Sequence, residues 1–248
     1  MKYCSIIILA LFLFCTKKVL AQNALFLSQG RIEYERKVNL WAQIDDGDDE
    51  TWKELTKKSK PQFKLSYFNL VFDNTKTLYS PGRDNNDNNN LWQEPAEDNI
   101  VYTNLADSQS ISRKNIFEQG FLITDSTRKI KWKITTETKN IAGFNCRRAN
   151  AIIMDSIYIV AFYTDEIITT GGPESFNGLP GMILGVSIPH EHISWFATKV
   201  YADKITDKSL IPPTKGKKTT PAELLKTLQE ALKDWGNWRK ICTKQAMY

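Results

Sequence analysis

The chain of 248 residues is poor in the side chains that most often carry catalysis or bind metal, with 2 histidines and 4 cysteines. Beyond Cys15 every apolar run is broken by charge, glycine or proline. A membrane-crossing helix needs about 20 apolar residues in succession, so none is expected in the body of the chain. A Gly-Lys-Ser/Thr phosphate loop and a Gly-x-Gly-x-x-Gly turn are both missing, which argues against nucleotide and dinucleotide binding. There is no Gly-x-Ser-x-Gly elbow, and Ser126-Thr127-Arg128-Lys129 matches Ser-x-x-Lys too briefly to indicate a nucleophile. No internal repeat is visible.

What is present begins with an address. Lys2, the apolar run Cys4 to Cys15, and Val19-Leu20-Ala21 follow the three-part order of a secretory signal. Residues 1–21 are therefore expected to be cleaved before Gln22, and Phe12-Leu13-Phe14 ahead of Cys15 disfavours a lipoprotein site. Cleavage removes Lys2, Lys17 and Lys18 but no acid, so 33 basic against 28 acidic residues moves close to balance. A nucleic-acid partner loses its support with that charge. Cys4 and Cys15 leave too. Cys146 and Cys242 remain, either as small buried hydrophobes or as one disulfide worth roughly 3 to 5 kcal/mol in an oxidising compartment.

The rest is patterned chiefly with period two. Ile32, Tyr34 and Arg36 alternate in Gly30 to Val38, and Lys64 to Phe72 and Lys76 to Tyr79 flank Asp73-Asn74 as a hairpin. Between them, Asp45 to Glu50 lacks the order of a calcium loop and reads as a turn and cap for a short helix carrying Trp52 and Leu55. The Asn-rich tract within residues 80–99 favours turns and solvent, and reads as a mobile loop. Alternation returns at Ile130, Trp132 and Ile134, then in Phe144 to Ile153, Ile157 to Tyr163, Met182 to Ile188 and Ile193 to Tyr201. With no helices between these runs, parallel crossovers are disfavoured. Thr220-Pro221-Ala222-Glu223 is a capping box opening a helix over about residues 221–235, with Gly236 as its stop. The expected fold is mainly β and forms one domain over residues 22–248. It is a curved antiparallel sheet, a meander or half-barrel, with a short helix in the N-terminal half and a C-terminal helix packed on or capping the sheet.

The segment Gly172-Pro173-Glu174-Ser175-Phe176-Asn177-Gly178-Leu179-Pro180-Gly181-Met182-Ile183-Leu184 resembles the signature of the GLPGLI family, exported proteins of the Bacteroidetes. Lys139 to Ala149, Ala161-Phe162-Tyr163-Thr164 and Phe196-Ala197-Thr198-Lys199 agree with that pattern. The resemblance implies a periplasmic cell-envelope protein, secreted or outer-membrane-associated forms being the variants. Its implied role is non-enzymatic binding or accessory work beside a TonB-dependent outer-membrane receptor or another envelope protein, with a small apolar or peptide ligand. It brings no catalytic residue and no cofactor.

Two readings of the loop stand side by side. Its glycines and proline either set the register of the buried strand that follows, or Gly172, Pro173, Glu174, Phe176, Gly178, Leu179, Pro180 and Gly181 form a rim for a ligand or partner. His190 and His192 define the alternative from another class, a metal-binding protein or metal-dependent enzyme that would borrow Glu174 or Asp203. A solvated turn after Pro189 accounts for them equally. A structural envelope protein without ligand is the third reading.

Overall fold

The computed structural model describes residues 26–44, 49–88, 91, 93 and 97–248. The expected signal segment and part of the acidic cluster lie outside them. Strand β1, Gly30–Asn39, turns Ile32, Tyr34, Arg36 and Val38 inward, as its alternation requires. Helix α1, Glu50–Ser59, follows, with the Asp49 carboxylate accepting from the amides of Thr51 and Trp52. Next come β2, Phe63–Phe72, β3, Lys76–Pro81, β4, Ile100–Asn104, β5, Gln109–Ile116, and β6, Gln119–Ser126. The second run is β7, Lys133–Ile141, β8, Phe144–Ile153, β9, Ile157–Thr164, β10, Met182–Ile188, and β11, Ile193–Tyr201. A short β12, Lys217–Thr219, precedes helices α2, Pro221–Ala231, and α3, Gly236–Ala246.

Among the described residues all 12 strands form one open sheet in the order β12-β6-β5-β4-β3-β2-β1-β11-β10-β9-β8-β7. Every pairing is antiparallel except β12 with β6. The sheet is therefore two meanders, β1 to β6 and β7 to β11, joined where β1 lies beside β11 with Arg36 opposite Trp195. The Tyr34 hydroxyl reaches across this joint and donates to the Ile183 carbonyl at 2.5 Å, tying the first meander to the second. Among the described residues no helix is long and apolar enough to cross a membrane.

Two hydrophobic clusters fill the inner side. The larger gathers Tyr34, Leu70, Ile159, Leu184 and Trp195 around the joint. The smaller sets Leu224, Leu228, Leu232, Cys242 and Ala246 of the C-terminal helices on Ile116, Phe121 and Ile123. The expected capping box is present, the Thr220 side chain bonding the Glu223 amide and Glu223 the Thr220 amide. The helix it opens ends at Ala231, short of the expected residue 235, and Gly236 starts α3 at φ +52° instead of only stopping α2. The break lets both helices reach the same cluster, Leu224 and Leu228 from α2 and Cys242 and Ala246 from α3, against Ile116, Phe121 and Ile123. The strand expected around Ile130 begins only at Lys133, because Trp132 turns its indole to the Asn177 carbonyl at 2.9 Å.

The segment Gly178 to Leu184 shows why its glycines are where they are. Gly181 has φ +140°, and a Cβ there would stand 2.1 Å from the Thr164 carbonyl oxygen. Gly143, at φ +91° in the β7–β8 turn, has nothing within 4 Å of the equivalent point. Gly181→Ala is therefore expected to cost about 3 kcal/mol or more, and Gly143→Ala only about 1 kcal/mol, in denaturant unfolding. Equal losses at the two sites would mean that the close approach at Gly181 relaxes freely.

Candidate functional site

On most of the sheet the inward positions are apolar, but from β1 to β5 several are charged. Arg36 and Lys64 are both buried and share the buried Glu97, at 3.4 and 2.7 Å, with the Ser66 hydroxyl donating to the same carboxylate at 3.2 Å. Arg36 also lies over the Trp195 ring, 5.8 Å from its centroid. Further along, Lys114 on β5 is buried and donates to the Ala246 carbonyl at 2.9 Å. Glu174 is buried as well and accepts from the Asn99 amide at 3.0 Å. Burial pushes the Glu174 carboxyl up, with Lys114, Asn99 and Arg36 pulling the other way. Burial lowers the Lys114 ammonium to about 8, Glu174 opposing and Arg128 reinforcing.

Beside Lys114 a cleft of about 380 Å³ opens between β4 to β6, the loop after β9, and the C-terminal helices. Ser110, Ser112 and Lys114 alternate along one face of β5 and form its floor, with Thr103 paired to Ser110 across the strands. Arg128, Ser175 and Asn177 form a wall and Tyr248 another, while Asp125 and Lys129 stand exposed at the mouth. Tyr248 packs its ring against Phe176 and Trp195, with centroids 6.3 and 6.2 Å away. Its hydroxyl and that of Ser175 are buried without a hydrogen-bond partner among the described residues. Both residues line the cleft, and a buried hydroxyl left without a partner is uncommon in a native fold. A second groove of about 410 Å³ includes Lys64, Ser66 and Glu97 together with Tyr67, Arg83 and Asn85.

The loop expected to form a rim is largely a plug. Gly172, Pro173, Glu174, Phe176, Leu179 and Gly181 are buried, whereas Gly178 and Pro180 are exposed. The residues of this segment that face the cleft are Ser175 and Asn177, between the named positions. His190 and His192 are both exposed, in and just after a 3₁₀ turn begun by Pro189. The carboxylates considered with them are elsewhere, Glu174 on Asn99 and Asp203 on Arg31. Among the described residues no three His, Cys, Asp or Glu side chains gather as a metal site. No disulfide joins Cys146 to Cys242, because Cys146 belongs to the larger core and Cys242 to the smaller. Of the Asn-rich tract, Asn85 and Asn88 hold the Leu65 carbonyl at 2.9 and 2.6 Å.

An open antiparallel sheet with a hydroxyl- and cation-lined cleft under its C-terminal helices is the class of domain that these features define. Solved structures of PNGF-II share the architecture. The one in space group P21 has TM-score 0.50 at 18% identity over 77% of this chain and 32% of that one. The one in space group C2 has TM-score 0.52 at 16% identity over 79% and 32%. At those identities the likeness is one of fold, and the chain spans about a third of the length of these structures. The N-glycanase peptide, N-terminal domain family matches residues 69–221, and the chain belongs to that family. No curated protein matches it.

This family corrects the resemblance drawn from Gly178-Leu179-Pro180-Gly181, since its match contains that whole segment. The glycines there answer a local demand for positive φ and close backbone approach, which unrelated β domains can share. With the GLPGLI assignment goes the role inferred from it, a non-enzymatic accessory protein of TonB-dependent transport and one of uncharacterised kind.

The buried Lys114 gives a titration signature. The unfolded chain holds this proton up to about 10.5 and the folded chain only to about 8, so between these values the unfolded state binds more protons and stability rises with pH. Thermal melts across that window should show the rise in the parent and a flatter profile in Lys114→Met. An unchanged slope in the variant would assign the rise to another group.

Proposed function

We propose that this chain serves the cleavage of N-linked glycans, as the domain that engages the glycan-bearing substrate in the cleft beside Lys114. The observation that carries the reading is the family match over residues 69–221, which takes in β4 to β6 and the Ser175 to Asn177 wall. The cleft chemistry is of the right kind. Ser110, Ser112 and Thr103 offer hydroxyls that both donate and accept, Asn177 adds an amide, and the Tyr248 ring lies among aromatics at one side. Sugars present alternating hydroxyls and apolar faces, so a floor of this composition suits them better than an apolar ligand. Export, expected from residues 1–21, fits a substrate met outside the cytoplasm.

Binding of an asparagine-linked glycopeptide should exceed that of the same peptide without its glycan by about tenfold or more in titration calorimetry. Ser110→Trp, which fills the floor of the cleft, should abolish the difference. Equal binding of the two peptides by the parent would overturn the reading.

A further inference from the structure

The same cleft has a charge arrangement that a neutral sugar does not need. Lys114 Nζ donates to the Ala246 carbonyl at 2.9 Å, and Arg128 Nη2 to the Met247 carbonyl at 2.5 Å. Those carbonyls belong to consecutive residues at the end of α3, whose Cα atoms are about 3.8 Å apart, so the end of that helix is a wall to which Lys114, from the floor, and Arg128, from the side, are both drawn. Capping the end of a helix accounts for one bond from each. An ammonium has three donors and a guanidinium five, and for Lys114 the Ala246 carbonyl is the one hydrogen-bond acceptor among the described residues. Tyr248, only 3% exposed, and Ser175 line the same cleft, and each has a buried hydroxyl with no hydrogen-bond partner among the described residues.

We propose that this wall is a subsite for the carboxylate of an acidic sugar, with Ser110 and Ser112 taking its hydroxyls and Lys114 and Arg128 its charge. The choice of a sugar rests on the glycan reading above. The anion rests on the two cations alone. A carboxylate bridging them would fill donors that the protein leaves open and offset the cost of burying Lys114. A monoanion suits the site better than a phosphate dianion, because the buried Glu174 already acts on Lys114 and opposes a second negative charge there.

Isothermal titration of the full chain with free N-acetylneuraminic acid, glucuronic acid, mannose 6-phosphate and neutral N-acetylglucosamine separates the possibilities. The carboxylate sugars should bind at least about tenfold tighter than the neutral one, and this preference should vanish in both Lys114→Met and Arg128→Gln. Arg128 is only half-buried, so its variant keeps the test valid should Lys114→Met unfold. Affinity for the acids no greater than for the neutral sugar, or a preference for the phosphate, would overturn the subsite. A neutral glycopeptide that binds while the free acids do not would defeat the subsite alone. Free acids that bind while no glycopeptide does would defeat the glycan reading and leave the subsite standing.

Discussion

Burying Arg36, Lys64 and Lys114 on one inner face is the constraint around which this half of the molecule is arranged. An isolated charge taken out of water costs several kcal/mol, so each needs an acceptor supplied by the fold. Glu97, just ahead of β4, meets both Arg36 on β1 and Lys64 on β2. Glu174 supplies negative charge near Lys114 from the loop after β9, so the second meander reaches into the first. Helix α3 ends where Lys114 and Arg128 can hold its last carbonyls. Loop, helices and sheet are thus committed to the same cleft by the same few charges.

That constraint also explains what the sequence revealed and what it hid. β1, the β2–β3 hairpin and β8 to β11 were legible because most of their buried positions are apolar or aromatic, alternating clearly in β1 and β3 and forming near-continuous β-branched and aromatic runs in β9 and β10. β4 to β6 went unread. Their inward set includes Thr103, Ser112 and Lys114, so the apolar period breaks where the cleft needs hydroxyls and a charge. The residues that build the site are the ones that conceal its strands. Helix α3 was missed because Trp238, Cys242 and Ala246 are a sparse stripe behind a glycine that looks like an ending, although their spacing of four is helical.

The loop at Gly172 to Gly181 offers a narrower lesson. Its sequence is distinctive because the backbone there passes within touching distance of Thr164 and of Phe176, and only glycine fits. Distinctiveness of this origin reports geometry and carries no information about what is bound. The polar residues of this loop that border the cleft are Ser175 and Asn177, which look unremarkable among prolines and glycines.

The joint between β1 and β11 has a consequence for how the chain reaches its native form. Within each meander, neighbouring strands are successive in sequence, and the tight hairpins among them, such as β2–β3 and β8–β9, form in about microseconds. The joint instead sets Arg31 against Tyr201, so it requires nearly the whole described chain to be gathered. Contacts of such separation slow folding, because chain entropy is lost before the contact rewards it. During synthesis β1 emerges early and its partner late. The strand at the centre of the finished sheet spends that interval as an open edge, and the lifetime of the edge is set by folding speed, whatever the final stability.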